Sequence, residues 1–202
     1  MQLSTDRELD GIVRPGWFVA EPVVVVDRDA TMDEPLRAAA AAMRARAESA
    51  EITASVRTMY KRVGIDPTKT RPSSEALLRR VRRGDELPRI NSLVDIINWC
   101  SLETQLPYGL YDLSQIQGDV VLRLGRTGEE YAGIRKDAVH VAGRLTLADD
   151  AGPFGNPTSD SARTMVTTAT TRALVVIFCP TTVGDAVLAR AVDLTKSRIV
   201  SR

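Results

Sequence analysis

The sequence predicts an α+β fold, and three observations carry that expectation. Helical spacings fill the first half of the chain, strand-like runs dominate after Leu110, and no regular β-α-β alternation links the two. At 202 residues the chain is long enough to bury a real core as one globular unit.

About 17 weakly patterned residues open the chain, and FVAEPVVVVD, Phe18 to Asp27, then reads as a buried β-branched strand. Thr31 and Glu34 have the spacing of a capping box, and Pro35 suits a first helical turn. Leu36, Ala40, Met43 and Ala47 repeat at helical spacing, as do Ile52, Val56, Met59 and Val63. The register slips between these sets, which predicts two helices or one long bent helix, closed by Gly64. Ser73 is placed to cap a short helix that turns Leu77, Leu78 and Val81 inward and ends at Gly84. INSLVDIINWCSL, Ile90 to Leu102, is again helical. Leu93, Ile97 and Cys100 share one sector of it, and Asn91, Asp95 and Asn98 the opposite one.

The remainder is mostly β. LPYGLYD reads as a turn at Pro107 and Gly109, and DVVLRLG is a strand from Asp119 to Gly125. Val139 to Asp150 alternates and bends at Gly143. Ala173 to Phe178 has the unbroken apolar run of a central strand. GDAVLARAVDLTKS closes the chain as an amphipathic helix.

Composition excludes several classes of function. Lys+Arg 27 against Asp+Glu 26 gives no whole-molecule field. The apolar runs are too short to span a bilayer, and MQLSTDRELD carries no secretory signal, so a soluble cytoplasmic chain with no membrane partner is expected. One histidine, His140, and two distant cysteines, Cys100 and Cys179, leave no ligand set for structural zinc. Both cysteines fit the role of small core residues. The phosphate-cradling GxxxxGK[ST] and the dinucleotide GxGxxG are missing.

Two features stand out against that neutral background. From Lys61 to Arg89 there are nine Lys/Arg and four Asp/Glu. Arg79, Arg80, Arg82 and Arg83 crowd the end of a helix, where they favour its macrodipole or contact phosphates. The second feature is GPFGNPTSDSART, Gly152 to Thr164, which is far more polar than a turn requires. Its Asp and Ser residues either bond the loop's own amides or form a functional loop on a rigid scaffold. Asp160 beside Arg163 reads as an ion pair, a ligand for a substrate amine, or a water-orienting carboxylate. The short polar stripe of Asn91, Asp95 and Asn98 suits either a surface helix face or a pocket wall.

Asn91 to Glu130 resembles the B3/B4 domain of the phenylalanyl-tRNA synthetase β subunit, in its free-standing branch. The matching residues are Val94, Asp95, Asn98, Pro107, Tyr111, Asp112, Gly118, Asp119, Val120 and Arg123, followed by GNPTSDS at Gly155 to Ser161. The resemblance runs from about Tyr60 to Pro180. It implies a mixed, sandwich-like sheet core in residues 60–180, with strand and helices of residues 1–59 packed on it and a closing helix at 181–202.

In the synthetase this domain hydrolyses tyrosine wrongly esterified to tRNA. The resemblance therefore implies tRNA or aminoacyl-tRNA as partner, hydrolysis of a mischarged ester, and no metal or cofactor. Asp160 and Asn98 match the catalytic positions, while Asn91, Gly109, Gly155, Asn156, Thr158 and Ser159 are the substrate-binding candidates. Amides of the Gly155 to Ser159 loop would serve as an oxyanion hole. Arg79, Arg80, Arg82 and Arg83 are the RNA-binding candidates. Ile97 stands where the synthetase often has Thr, and Gly109 where it has the editing histidine. The alternative is a module that binds tRNA, an aminoacyl group or a free amino acid without catalysis.

Overall fold

The computed structural model describes residues 1–46, 50–134 and 137–200. Its elements run β1 (Leu3–Thr5), β2 (Val13–Ala20), α1 (Asp33–Ala45), α2 (Ala50–Arg62), α3 (Ser73–Arg82), α4 (Ser92–Thr104) and β3 (Tyr108–Asp112). There follow β4 (Val120–Leu124), β5 (Glu130–Ala132), β6 (Ala138–His140), β7 (Leu145–Asp149), β8 (Gly152–Gly155), β9 (Ala173–Pro180) and α5 (Asp185–Val200). The fold is α+β, as the sequence predicts.

Strand β9, ALVVIFCP, is buried along its whole length because it lies between β2 and β3, both antiparallel to it. An apolar run without alternation belongs in such a place, covered on both faces. Helix α5 packs on β2 so closely that a Cβ at Gly16 would stand 2.6 Å from Leu188 Cδ1. A second sheet has the order β1-β4-β7-β8, with β1 parallel to β4 and the other pairs antiparallel. Strands β5 and β6 form a small hairpin. One continuous apolar core, running from Leu9 through Tyr60, Tyr111 and Phe154 to Ala191, joins these layers.

Several local expectations are corrected. Strand β2 ends at Ala20, before Pro22, which has no N–H for a ladder. Val23 to Val26 continues as extended chain tied to Thr171 and Ser92, with Val23 and Val25 buried and Val24 85% exposed. Thr31 does not cap α1; Asp29 instead caps a short 3-10 turn that precedes it. Ser73 opens α3 without a side-chain capping bond. Pro107 to Asp112 is no turn: Gly109 lies inside β3. The polar loop is shorter than expected, since Gly152–Gly155 pairs with β7. Ala47, the last residue of the first helical repeat, lies outside the described residues.

Candidate functional site

Beyond β8 the chain folds back on itself, closed by a bridge between Gly155 and Asp160. Asn156 builds this loop from inside. Its buried Oδ1 accepts the N–H groups of Thr158 at 2.8 Å and Ser159 at 2.9 Å, and its Nδ2 donates to the Tyr131 hydroxyl at 2.8 Å. Asn in this position mimics a backbone turn, which is why the segment is polar yet ordered.

Three of the four tyrosines converge on the loop. Tyr60 of α2 shares a 2.9 Å hydrogen bond with Thr158 Oγ1, and Tyr131 of β5 donates to the Ser159 carbonyl at 2.5 Å. Tyr111 of β3 donates to Asp160 Oδ1 at 2.8 Å. The start of α3 adds a fourth anchor, Ser73 N–H to the Pro157 carbonyl at 3.2 Å. Arg163 holds the exit by a forked pair with Asp149 at 2.9 and 3.0 Å, so its partner is Asp149 rather than Asp160.

Tyr111 lies in a slot cut by two glycines. A Cβ at either Gly109 or Gly155 would stand 2.6 Å from Tyr111 Cζ and closer still to its hydroxyl. The ring meets Phe154 edge-on, centroids 4.9 Å apart at 84°, and the residue is fully buried.

Asp160 itself is half-buried. Desolvation pushes its carboxyl up to about 7, against the lowering effect of the Tyr111 hydroxyl. Burial likewise raises the phenols of Tyr60, Tyr111 and Tyr131, so all three remain protonated donors at neutral pH. With Oδ1 held by Tyr111, Oδ2 accepts no hydrogen bond from the described residues. A carboxyl titrating near neutrality with one bare oxygen can take or give a proton. The amides of Thr158 and Ser159 are committed to Asn156, which removes both as oxyanion donors.

The structure thus gathers Asp160, Gly109, Gly155, Asn156, Thr158 and Ser159 around Tyr111 and Tyr131. Among the described residues no hydrogen bond links these to the polar stripe of α4. Asn91 caps that helix through Val94 N–H at 2.9 Å and reaches the Val166 carbonyl at 3.4 Å. Asp95, buried, holds Arg89 at 2.6 Å and Ile90 N–H at 2.8 Å. Asn98 is half-buried, and its side chain makes no hydrogen bond to the described residues. The roles of Tyr60, Tyr111 and Tyr131 were not read from sequence. The available signal is local: Tyr111 and Gly109 are two residues apart, hence on one strand face.

The arginine cluster sits at the far end of α3 from the loop, about 9–15 Å along the helix at 1.5 Å per residue. Arg79, Arg82 and Arg83 line a cleft of about 1290 Å³ between the helices. Arg80 is outside that lining and donates through Nε to the Glu86 carbonyl at 2.6 Å. His140 is exposed on β6 and pairs with Glu130 at 2.9 Å. Both cysteines are buried and unpaired. Among the described residues no three His, Cys, Asp or Glu side chains form a metal-binding group, and no helix is long and apolar enough to cross a membrane.

Residues 55–195 match the family model described as B3/4 domain. The phenylalanine–tRNA ligase β subunit of Chromobacterium violaceum is 34% identical over 84 residues, 41% of this chain and 11% of that protein. The corresponding subunit of Paramagnetospirillum magneticum is 32% identical over 90 residues, 38% of this chain and 11% of that protein. The chain therefore spans only 11% of the length of either relative. An N-terminal fragment of the phenylalanyl-tRNA synthetase β subunit from Pyrococcus horikoshii has the same fold. Its TM-score is 0.52 at 11% identity, over 100% of this chain and 48% of that one.

Proposed function

The chain belongs to the B3/4 domain family, and from that premise we propose that it binds tRNA and hydrolyses the ester of a mischarged aminoacyl group at the RNA 3′ end. The observation that carries this reading is Asp160: a carboxyl poised at about 7, oriented by Tyr111 through one oxygen, with the other accepting no hydrogen bond from the described residues. Oδ2 takes a proton from water as that water attacks the ester carbonyl. The proton then passes to the departing ribose oxygen, releasing amino acid and RNA.

Asn98 is assigned the ester or the attacking water. The aminoacyl group lies against Thr158 and Ser159 rather than Asn91, Gly109, Gly155 or Asn156, because Asn91 caps α4, Asn156 braces the loop from inside and the Tyr111 ring fills the space over both glycines. Arg79, Arg80, Arg82 and Arg83 are assigned RNA phosphates, a role supported by the local excess of cations in a chain of net charge +1. Neutralising them should weaken tRNA binding and flatten its salt dependence. No metal or cofactor takes part in this scheme.

One observation favours a second reading, a module that binds tRNA or an aminoacyl group without cleaving it. The amides of Thr158 and Ser159 are already committed, and Gly109 offers no side chain for catalysis. Deacylation of a panel of correctly and wrongly charged tRNAs by wild type, Asp160→Ala and Asn98→Ala separates the two. Cleavage by wild type that is lost in both folded variants is the expected result. Saturable tRNA binding with no ester cleaved would leave the binding module.

A further inference from the structure

The cleft of about 1290 Å³ lies between α1, α2, α3 and α5, with the C-terminal end of α4 at its base. Ala42, Ile52, Ala54, Val187 and Leu194, exposed or half-buried, give it an apolar floor. Its lining also holds six arginines, Arg46, Arg57, Arg79, Arg82, Arg83 and Arg190, against Glu75, Glu103 and Asp193. Arg57 and Glu75 pair with each other at 2.8 Å, Arg83 pairs with Asp85 at 3.4 Å, and Glu103 is neutralised by Arg198, from outside the lining, at 2.6 Å. Arg46, Arg79 and Arg190 against Asp193 then leave the cleft with an excess of cations in a nearly neutral chain.

We propose that this cleft docks an acidic amphipathic helix of a partner protein. The floor calls for an apolar face to cover it, and the arginines call for carboxylates. Helices supply most of its walls, and a helix flank offers no sheet edge to which a strand could be added. The occupant must satisfy its own backbone, as a helix laid in a groove does. The volume exceeds the roughly 300–1,000 Å³ of small-molecule sites. A helix about 10 Å across fills it over roughly 16 Å, about three turns.

RNA suits the arginines but not the floor. Among the described residues no aromatic lines the cleft to stack a base, and a sugar-phosphate chain has no apolar face to bury. A second copy of this chain suits it no better. Helices α2, α3 and α5 carry more cations than acids, and α1 is balanced. The acids of α4, Asp95 and Glu103, are tied to Arg89 and Arg198. Because Arg79, Arg82 and Arg83 belong to the cleft, an acidic helix seated there competes with RNA for them.

The probe is a fluorescein-labelled 15-residue peptide with Leu at helical spacing and Glu elsewhere, titrated with the full chain by fluorescence anisotropy. Ala54→Glu places a carboxylate at an exposed lining position of α2 that tolerates any helix former. Saturable binding is expected, at least tenfold weaker with Ala54→Glu and with a scrambled peptide of the same composition. Circular dichroism and melting check that the variant is folded; if it is not, Arg190→Glu on the opposite wall gives the same reading. Absence of saturable binding, equal binding of the scrambled peptide, or insensitivity to both substitutions overturns the proposal. So does binding of a single-stranded oligoribonucleotide alone that Ala54→Glu abolishes, which would make the cleft an RNA site.

Discussion

The Tyr111 hydroxyl donates to Asp160 Oδ1 across 2.8 Å, and this bond ties the β2-β9-β3 sheet to the loop that leaves the other sheet. The phenol is fully buried and its ring is wedged against Phe154, so it has little freedom to turn away. Such a rigid donor fixes which carboxylate oxygen is engaged and which stays bare. The two glycines that make room for it are part of the same device.

The active form of a base is its carboxylate, so ester hydrolysis should rise with pH through about 7 and then level off. Tyr111→Phe removes the donor that holds the Asp160 carboxyl down, so the rising limb should move to higher pH. A pH–rate profile, or titration of ¹³C-labelled aspartate by NMR where no ester is cleaved, reads the shift. A limb near the ordinary carboxylate value, unmoved by Tyr111→Phe, would contradict the assignment.

The same group affects stability. Its folded pKa of about 7 lies above the ordinary 3.8, so folding favours the protonated form. This contribution to stability is fully present below about pH 4, falls between about 4 and 7, and is constant above. Asp160→Asn should flatten that decline and stabilise the protein at pH 8 by about 1–2 kcal/mol, allowing for solvent around a half-buried residue. Urea unfolding at pH 4.5 and pH 8 measures it. Equal stability changes at both pH values would refute the linkage.

The sequence made the framework legible where one residue pattern has one solution. The run Ala173 to Phe178 had to be covered on both faces, and it became the middle of the β2-β9-β3 sheet. The dense polar loop after Gly152 marked a candidate site because ordinary turns need fewer such residues. Val23 to Val26 misled because β-branched residues favour extended chain whether or not a ladder exists, and Pro22 ended the ladder just before them. The Tyr111 and Asp160 pair was not legible, because its partners are 49 positions apart and meet only through sheet register. Asn91 and Asp95 looked alike on a helical projection. One caps α4 and the other holds Arg89, a distinction made by where the preceding chain enters.

Arg89 has a 15% exposed side chain and bridges Asp95, which is fully buried, to Asp33 and to the Asp29 carbonyl. Arg89→Met should destabilise by about 3–5 kcal/mol, because it strands the Asp95 charge at the start of α4. Adding Asp95→Asn should recover part of that loss, since Ile90 N–H can still donate to the amide oxygen. Denaturant midpoints of the wild type, the two single variants and the double variant give the coupling. Additive effects would mean that the ion pair is not what secures this helix end.

Gly109→Ala tests the slot itself. The new Cβ would stand 2.6 Å from Tyr111 Cζ, and on the other side a Cβ at Gly155 would meet the same ring carbon at the same distance, so the ring has no direction in which to retreat. Overpacking of this kind costs about 1–3 kcal/mol. It should also break the bond to Asp160 and raise that carboxyl further, because the Tyr111 hydroxyl is what lowers it. In a Tyr111→Leu background the ring is gone, and the cost of Gly109→Ala should fall close to zero. A cost that stays the same in both backgrounds would show that something other than the phenol keeps position 109 bare, and the glycine slot would then have no part in aiming Asp160.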